Sequence, residues 1–161
     1  MLPVFSRKYV LAGLSSTPDV LEAILRGVDS ADPVWDVRPD PERFTLREIV
    51  AHLADWEGIF LARLERIRDE EDPHLPDLDE GQVAIDNDYA HSDPSESLAR
   101  FRAGRQNLMA FYAACTEEQW LRPGFREKLG PIDTGDQAVL MLGHDGYHNK
   151  QAIEWLRRAV K

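Results

Sequence analysis

The sequence contains a single cysteine, Cys115, among 161 residues. One cysteine excludes an internal disulfide framework and fits a reducing compartment, so we expect a cytoplasmic protein. The N-terminal residues lack the apolar core of a signal peptide, and we therefore expect no export. Cys115 follows an apolar helical stretch, and we interpret it as a small buried residue instead of a nucleophile.

Basic residues and long apolar runs are also scarce. The chain has 19 Lys and Arg against 29 Asp and Glu, which gives a formal net charge of −10. No cluster of basic residues interrupts this acidic background, and this argues against a nucleic-acid partner. No apolar run approaches the roughly 20 residues that a membrane-spanning helix needs. We therefore expect neither nucleic-acid binding nor membrane insertion.

No stretch alternates apolar and polar residues as strands do, and helical spacing of apolar residues dominates instead. We expect residues 1–16 to form a lead segment or a short helix. Thr17-Pro18-Asp19 has the order of an N-cap, a proline at the first helical position and a first-turn acid, so it predicts the beginning of a first helix. The apolar face of this helix comprises Val20, Leu21, Ile24, Leu25 and Val28.

Further helix beginnings are marked by capping sequences. Thr45–Glu48 is a capping box that predicts a second helix, extending to about Arg68. Asp93–Glu96 predicts the beginning of a third helix, and Thr134–Gln137 that of a fourth. Thr116–Gln119 predicts a short helical turn, and the prolines and glycines that follow it predict an irregular connector.

These helices indicate an all-α four-helix bundle formed by a single domain over residues 1–161. Between the second and third helices lies a long acidic segment, Glu70 to Asp93, interrupted by proline. When extended it exceeds the roughly 35 Å length of a bundle helix, so it could be a crossover that lets these two helices run parallel. We expect the two histidines of this segment, His74 and His91, to be exposed.

The C-terminal helical stretch places two histidines on one apolar stripe. His144 and His148 are one helical turn apart and share the stripe with Met141, Ala152 and Trp155. Their imidazoles can therefore reach a common metal ion. The spacing fits two hydrogen-bonded core histidines about equally well.

His52 offers a third imidazole from the second helix, at or within its buried face. Three histidines suit a divalent metal ion such as zinc, nickel, copper or iron, and they leave positions open for water or substrate. No cysteine cluster supplies a fourth, closing ligand. Asp145 stands where the H-E-x-x-H motif of zinc proteases has glutamate, which argues against a protease.

Three residues on the predicted helices are unusual for their positions. Arg105 lies on the apolar stripe of the third helix, and we favour the interpretation that its side chain extends to the surface. The alternative is an interior cation that binds an anionic substrate or pairs with a loop carboxylate. Gly143 and Gly146 each cost about 1 kcal/mol relative to alanine. Unless the helix simply tolerates them, they indicate close approach by a helix, a partner subunit or a ligand.

The motifs Phe44–Glu57 (FTLREIVAHLADWE), Leu129–Thr134 (LGPIDT) and Gly143–Ile153 (GHDGYHNKQAI) resemble the DinB-like metal-binding superfamily. The resemblance extends over nearly the whole chain. It implies a four-helix bundle with up-down-down-up topology and a metal ion, zinc or nickel, held by three histidines. By position these are His52, His144 and His148. Relatives often form homodimers, and they include thiol-dependent S-transferases and a mycothiol-dependent isomerase.

Three functions follow as hypotheses, and whether the chain is an enzyme is left open. The first is a metal-dependent thiol S-transferase acting on small electrophiles, in which Arg105 binds an anionic group of the thiol or substrate. The second is a metal-dependent hydrolase, for which the sequence offers no obvious general base. The third is a non-enzymatic, stress-related protein that binds a metal or ligand. In the S-transferase, Gln151 and Asp55 are candidates for orienting the metal ligands one turn before them, and exposed helix residues are the equal alternative.

Overall fold

Four long helices form the frame of the protein in the computed structural model, which describes residues 1–159. The helices are α1 (Val4–Ile24), α2 (Leu46–Asp69), α3 (Glu80–Asp86), α4 (Pro94–Ala114), α5 (Glu117–Trp120) and α6 (Thr134–Ala159). The strands are β1 (His74–Leu75), β2 (Pro123–Arg126) and β3 (Gly130–Asp133). Residues 160 and 161, which the predicted domain includes, lie outside the described residues.

Contacts between helix ends show which helices run parallel. Arg47, at the beginning of α2, donates to the carbonyl of Ser92 just before α4, and Arg68 near the end of α2 lies over the ring of Phe111 near the end of α4. Helices α2 and α4 are therefore parallel, as the crossover prediction requires. Helices α1 and α6 are also parallel, since the amino terminus contacts Asp136 in the first turn of α6.

The two parallel pairs point in opposite directions. The indole of Trp155, near the end of α6, donates to the carbonyl of Phe44 just before α2, at 2.8 Å. Arg7, near the beginning of α1, donates to Glu117 just beyond the end of α4, at 2.8 Å. The protein is therefore mostly helical, and the predicted up-down-down-up four-helix bundle is confirmed.

The predicted helix beginning at Thr17 is wrong, because α1 starts at Val4 and continues through Pro18. Proline has no N–H to donate to the carbonyl four residues earlier, which is that of Leu14. This carbonyl instead accepts the Thr17 hydroxyl at 2.9 Å and the Arg105 guanidinium at 2.7 Å. Because these two groups replace the missing backbone donor, the helix does not have to end at the proline.

The capping residues predicted for α2, α4 and α5 are confirmed. Thr45 and Glu48 form the reciprocal capping box of α2, and this helix ends at Asp69, one residue beyond the predicted end. The Asp93 side chain accepts the backbone N–H of Glu96 at the beginning of α4. Thr116 caps the short helix α5.

Helix α6 begins at Thr134, as predicted, but its reciprocal cap is formed by Asp133 and Asp136 and not by Thr134 and Gln137. Asp133 accepts the backbone N–H of Asp136 at 2.7 Å, and Asp136 accepts the backbone N–H of Asp133 at 3.1 Å. The Thr134 hydroxyl donates to the carbonyl of Gln119 instead. Aspartate and threonine are both good N-caps, so the sequence did not distinguish these adjacent candidates.

The sequence predicted no strands, and this prediction is also wrong. Strands β2 and β3 form an antiparallel hairpin, and β1 from the crossover pairs in parallel with β2. Gly130 has a φ of +81°, a left-handed conformation that favours glycine. The strands have only two to four residues, so no alternation could be recognised. His74 and His91 are exposed, as predicted.

Two apolar clusters fill the bundle. The cluster near the beginning of α2 includes Leu21, Leu25, Trp35, Leu46, Phe101 and Trp155. The other includes Leu14, Trp56, Phe60, Leu108, Tyr112 and Met141. The crossover helix α3 packs Val83 against the second cluster. Within residues 1–159, no helix combines the length and the apolar character needed to cross a membrane.

Candidate metal centre

Three imidazoles meet between α2 and α6. His52 comes from α2, His144 and His148 come from α6, and one nitrogen of each lies within 4.8 Å of the others. The Nε2 atoms of His52 and His144 are 2.9 Å apart. His52 is fully buried and His148 nearly so, whereas 16% of the His144 side chain is exposed. The sequence thus correctly placed these three side chains together.

Aromatic rings surround the imidazoles on the bundle side. The ring of His52 lies 4.1 Å from that of Trp56 and 5.1 Å from that of Phe44, measured between centroids. Trp56 stacks on His144 at 6.2 Å, and Phe60 meets His144 edge-on at 5.5 Å. This apolar wall fixes the ring orientations and lowers the local dielectric, which strengthens electrostatic interactions at the site.

Burial keeps two of the imidazoles uncharged. It lowers the pKa of His148 to about 3, with a further contribution from the positive charge that His144 would carry. Burial also lowers the pKa of His52, and repulsion by His148 and His144 acts in the same direction. Neutral imidazole is the form that binds metals. Nε2 of His52 and Nε2 of His144 face each other at 2.9 Å, and one nitrogen of His148 lies close to both, so the cluster fits a shared cation. Three imidazoles do not define which metal that cation is.

Asp145 lies directly behind His144. Its Oδ1 is 3.6 Å from Nδ1 of His144, and neither atom has a hydrogen-bond partner among the described residues. Its Oδ2 accepts the Thr17 hydroxyl at 2.8 Å and contacts Nη1 of Arg105 at 2.7 Å. Burial would raise the pKa of Asp145, but its contacts with His144, Arg105 and Thr17 outweigh burial and lower it. A carboxylate behind a histidine is the usual means of orienting a metal ligand.

Arg105 is an interior cation, so the favoured interpretation of a side chain extending to the surface is wrong. It is 2% exposed, and its guanidinium donates to both carboxylate oxygens of Glu57, at 2.6 and 2.9 Å. It also contacts Thr17, the Leu14 carbonyl and Asp145. Its partners are carboxylates of helices and not of a loop. That Arg105 also binds substrate stays a prediction, since all of these contacts are with protein groups.

The two candidates for orienting the ligands have different surroundings. Gln151 is buried next to His148, and its side-chain amide donates to the carbonyl of Phe44 at 3.1 Å. Asp55 accepts hydrogen bonds from Asn87 in the crossover and from Arg100 in α4. The contacts of Asp55 thus tie α2 to other segments of the bundle.

The glycines of α6 do not lie against a neighbouring helix. A Cβ atom placed at Gly143 or Gly146 meets no described atom within 4 Å, so close approach by a neighbouring helix does not explain these glycines. Close approach by a partner subunit or a ligand stays a prediction. The close approach occurs instead at Gly104 in α4. A Cβ there would lie 2.5 Å from Cβ of Glu57, the carboxylate that pairs with the adjacent Arg105.

Sequence reasoning missed Thr17, Glu57 and the pairing role of Asp145. A signal for Thr17 was available, since a proline within a helix leaves the carbonyl four residues earlier without a donor. Gly104 next to Arg105 was a second signal, because a glycine in a helix often marks a close approach. Neither signal identifies the partners, which lie on other helices.

Comparison with known proteins places this bundle in a family. The family model of the DinB superfamily matches residues 14–152. The chain belongs to the DinB superfamily. This confirms the resemblance inferred from the sequence motifs.

Solved structures of other proteins share the fold of this DinB-superfamily chain. YfiT from Bacillus subtilis, described as a probable metal-dependent hydrolase with an unusual four-helix bundle topology, has a TM-score of 0.89 and 22% identity. That match covers 99% of this chain and 90% of YfiT. A protein from Streptococcus pneumoniae matches with a TM-score of 0.71 and 16% identity, over 93% of this chain and 90% of the other. At these identities the likeness shows the fold alone. None of the curated proteins matches the chain.

Proposed function

We propose that this DinB-superfamily protein is a metal-dependent thiol S-transferase that acts on small electrophiles. The proposal rests mainly on one observation, the convergence of His52, His144 and His148, of which His144 reaches the surface. No fourth His, Cys, Asp or Glu joins this group within residues 1–159. Three protein ligands leave room for an external ligand, which is the pattern of catalytic and not of closed structural sites.

The chemistry needs little from the protein besides the three ligands. A divalent ion held by His52, His144 and His148 would supply a Lewis acid that lowers the pKa of a substrate thiol towards neutral pH. The thiol proton passes to solvent, the sulfur forms a bond to the electrophilic carbon, and the leaving group departs with the bonding electrons. Phe44 and Trp56 keep water from the inner side of the site. No protein general base is required.

Metal-dependent hydrolysis is the second candidate, and it is favoured by the description of YfiT as a probable metal-dependent hydrolase. Hydrolysis needs a group that takes the proton of the attacking water. Asp145 lies behind His144 and is bound by Arg105 and Thr17, so it does not face an incoming substrate. The carboxylates on the cavity beside His148, those of Glu42 and Glu80, belong to solvent-exposed residues. For this reason we rank thiol transfer first.

The ligand set is tested with protein purified without a histidine tag. We expect about one zinc or nickel ion per chain, and we expect His148→Ala to lose the ion. His91→Ala is the matched control, because His91 is exposed and lies outside the cluster. A wild-type protein with neither metal above background would disprove the metal site.

Thiol transfer is tested by thiol consumption with chlorodinitrobenzene under bacillithiol, mycothiol and glutathione. We expect turnover with at least one thiol, and we expect it to disappear in His148→Ala. A metal-loaded protein that turns over no thiol but hydrolyses esters or amides would support the hydrolase. Metal binding without either activity would support a non-enzymatic metal-binding protein. A homodimer stays a prediction of the family resemblance.

A further inference from the structure

A cavity of about 210 Å³ borders the histidine cluster on the side of the crossover. Its wall includes Arg43, Phe44, Glu80, Tyr147, His148 and Gln151. Two of these belong to the metal centre or touch it: His148 is one of the three clustered histidines, and the Phe44 ring lies 5.1 Å from that of His52. A ligand in this cavity therefore lies beside the proposed metal ion.

The cavity is small. Sites for drug-sized ligands measure roughly 300–1,000 Å³, so a volume of about 210 Å³ suits a ligand of few heavy atoms. The amino-terminal end of α3 forms part of the wall through Glu80 and Gly81. The crossover thus limits the size of what reaches His148.

Arg43 is the cation of this cavity, and its guanidinium has unused hydrogen-bonding capacity. Among the described residues it makes one hydrogen bond, from Nη1 to Glu154 at 3.2 Å, and its Nε is buried without a partner. The side chains of Arg43 and Glu154 are 26% and 34% exposed, and such pairs contribute little to stability. A ligand anion could therefore bind Arg43 without breaking a strong interaction.

Two aromatic rings hold the guanidinium in place. It lies 4.5 Å from the ring of Trp155 and 5.9 Å from that of Tyr147. Contacts with aromatic faces restrict the orientation of an arginine while leaving its N–H groups free in the plane. Arg43 is thus a positioned donor next to His148, whereas Arg105 is enclosed by protein groups.

We infer that this cavity is the substrate pocket of the metal centre and that Arg43 binds a carboxylate of a small thiol substrate. The inference rests on the proposed function. The planar fork of arginine matches a carboxylate. The cavity is also lined by the acidic side chains of Glu42 and Glu80, which disfavour ligands with several negative charges, such as phosphate esters.

The experiment uses the full chain loaded with Co²⁺ and two thiols that differ in one group. Binding of 3-mercaptopropionate and of 2-mercaptoethanol is titrated through the sulfur-to-cobalt absorption band, a readout that needs no catalysis. We expect Arg43→Gln to lower the affinity for 3-mercaptopropionate about ten-fold, as loss of one partly exposed charged contact predicts. The affinity for 2-mercaptoethanol should not change. Arg43→Lys keeps the positive charge, so its affinity for 3-mercaptopropionate should fall less than that of Arg43→Gln.

Arg158→Gln is the matched control. Arg158 also donates to Glu154 and also lies over the ring of Trp155, but it is not part of the cavity wall. This control should bind both thiols as the wild type does. Three outcomes would overturn the assignment of Arg43. The affinity for 3-mercaptopropionate could fall equally in Arg43→Gln and Arg158→Gln, the affinities for both thiols could fall equally in Arg43→Gln, or neither affinity could fall. Failure of the wild type to bind Co²⁺ would instead overturn the metal site, so the two failures are distinguishable.

Discussion

Burial keeps the imidazole of His148 uncharged at pH values where an exposed histidine is protonated. Its pKa is about 3 in the folded protein, compared with an ordinary value of 6.5. Between these values the unfolded chain binds a proton that the folded protein does not bind. The folded state therefore loses stability as the pH falls from about 6.5 towards 3, and this loss is absent above 6.5.

We expect this linkage to be measurable in the metal-free protein. The free energy of unfolding in urea should decrease between about pH 7 and 5, a range above the titration of most carboxylates. Replacement of the ionisable ring in His148→Gln should make this decrease smaller. His91→Gln should not change it, because His91 is exposed. An identical pH dependence in the wild type and His148→Gln would show that His148 is not held neutral by the fold.

At the scale of helices, α2 and α4 approach each other most closely at a glycine. A Cβ atom at Gly104 would lie 2.5 Å from Cβ of Glu57, and that position cannot move without displacing α2. Gly58, the next residue of α2, is different, because a Cβ atom there meets no described atom within 4 Å. The helix pair therefore has no room for a side chain at Gly104 but has room for one at Gly58.

We predict that Gly104→Ala destabilises the protein by about 1–3 kcal/mol, as overpacking does. Gly58→Ala is its matched control and should be neutral or stabilising by up to about 1 kcal/mol, because alanine favours helix. Urea denaturation of both variants gives the comparison. The close approach would be refuted by a Gly104→Ala protein as stable as Gly58→Ala.

The local sequence correctly predicted helix ends where the groups that stabilise them are neighbours in the chain. The caps at Thr45 and Asp93 were correct because a cap and its partner are three residues apart. The end of α2 was correct within one residue. The predicted beginning of α1 was wrong, since one of the two donors that compensate for Pro18 comes from Arg105, far along the chain. The strands were missed because their pairing, and not their composition, defines them.

At the scale of the whole molecule, Arg105 connects all four long helices. From α4 it binds Glu57 of α2, Leu14 and Thr17 of α1, and Asp145 of α6. Asp145 in turn faces His144, so the packing of the bundle and the geometry of the metal centre depend on one buried charge network. Burying these charges costs free energy of desolvation, which their mutual contacts offset. Removal of one member leaves the others buried and unpaired, so it strongly destabilises the fold.

We predict that Arg105→Met lowers the free energy of unfolding by about 3–5 kcal/mol, because it leaves Glu57 and Asp145 buried without their cation. Arg66→Met is the control. Arg66 pairs with Glu70, but the two side chains are 39% and 45% exposed, and such pairs contribute about 0–1 kcal/mol. Equal stability of the two variants in urea would show that Arg105 is not structural, and would favour the prediction that it binds substrate.

The features that depend on local pattern could be inferred from the amino-acid sequence. Helical periodicity and capping residues determined a bundle of four long helices, and the four-residue spacing of His144 and His148 determined that their imidazoles share one helical face. The length of the crossover allowed parallel α2 and α4. The motifs around His52 and His148 indicated the superfamily and hence the set of three histidines.

Most contacts between distant groups depend on how the helices pack. Packing gave Arg105 two carboxylate partners and left Arg43 as the arginine beside His148. Arg43 follows Glu42 and Arg105 follows Gly104, and neither of these neighbours identifies the groups that the arginine contacts. What distinguishes the two arginines is burial and the position of charges on other helices, and these exist only once the helices have packed.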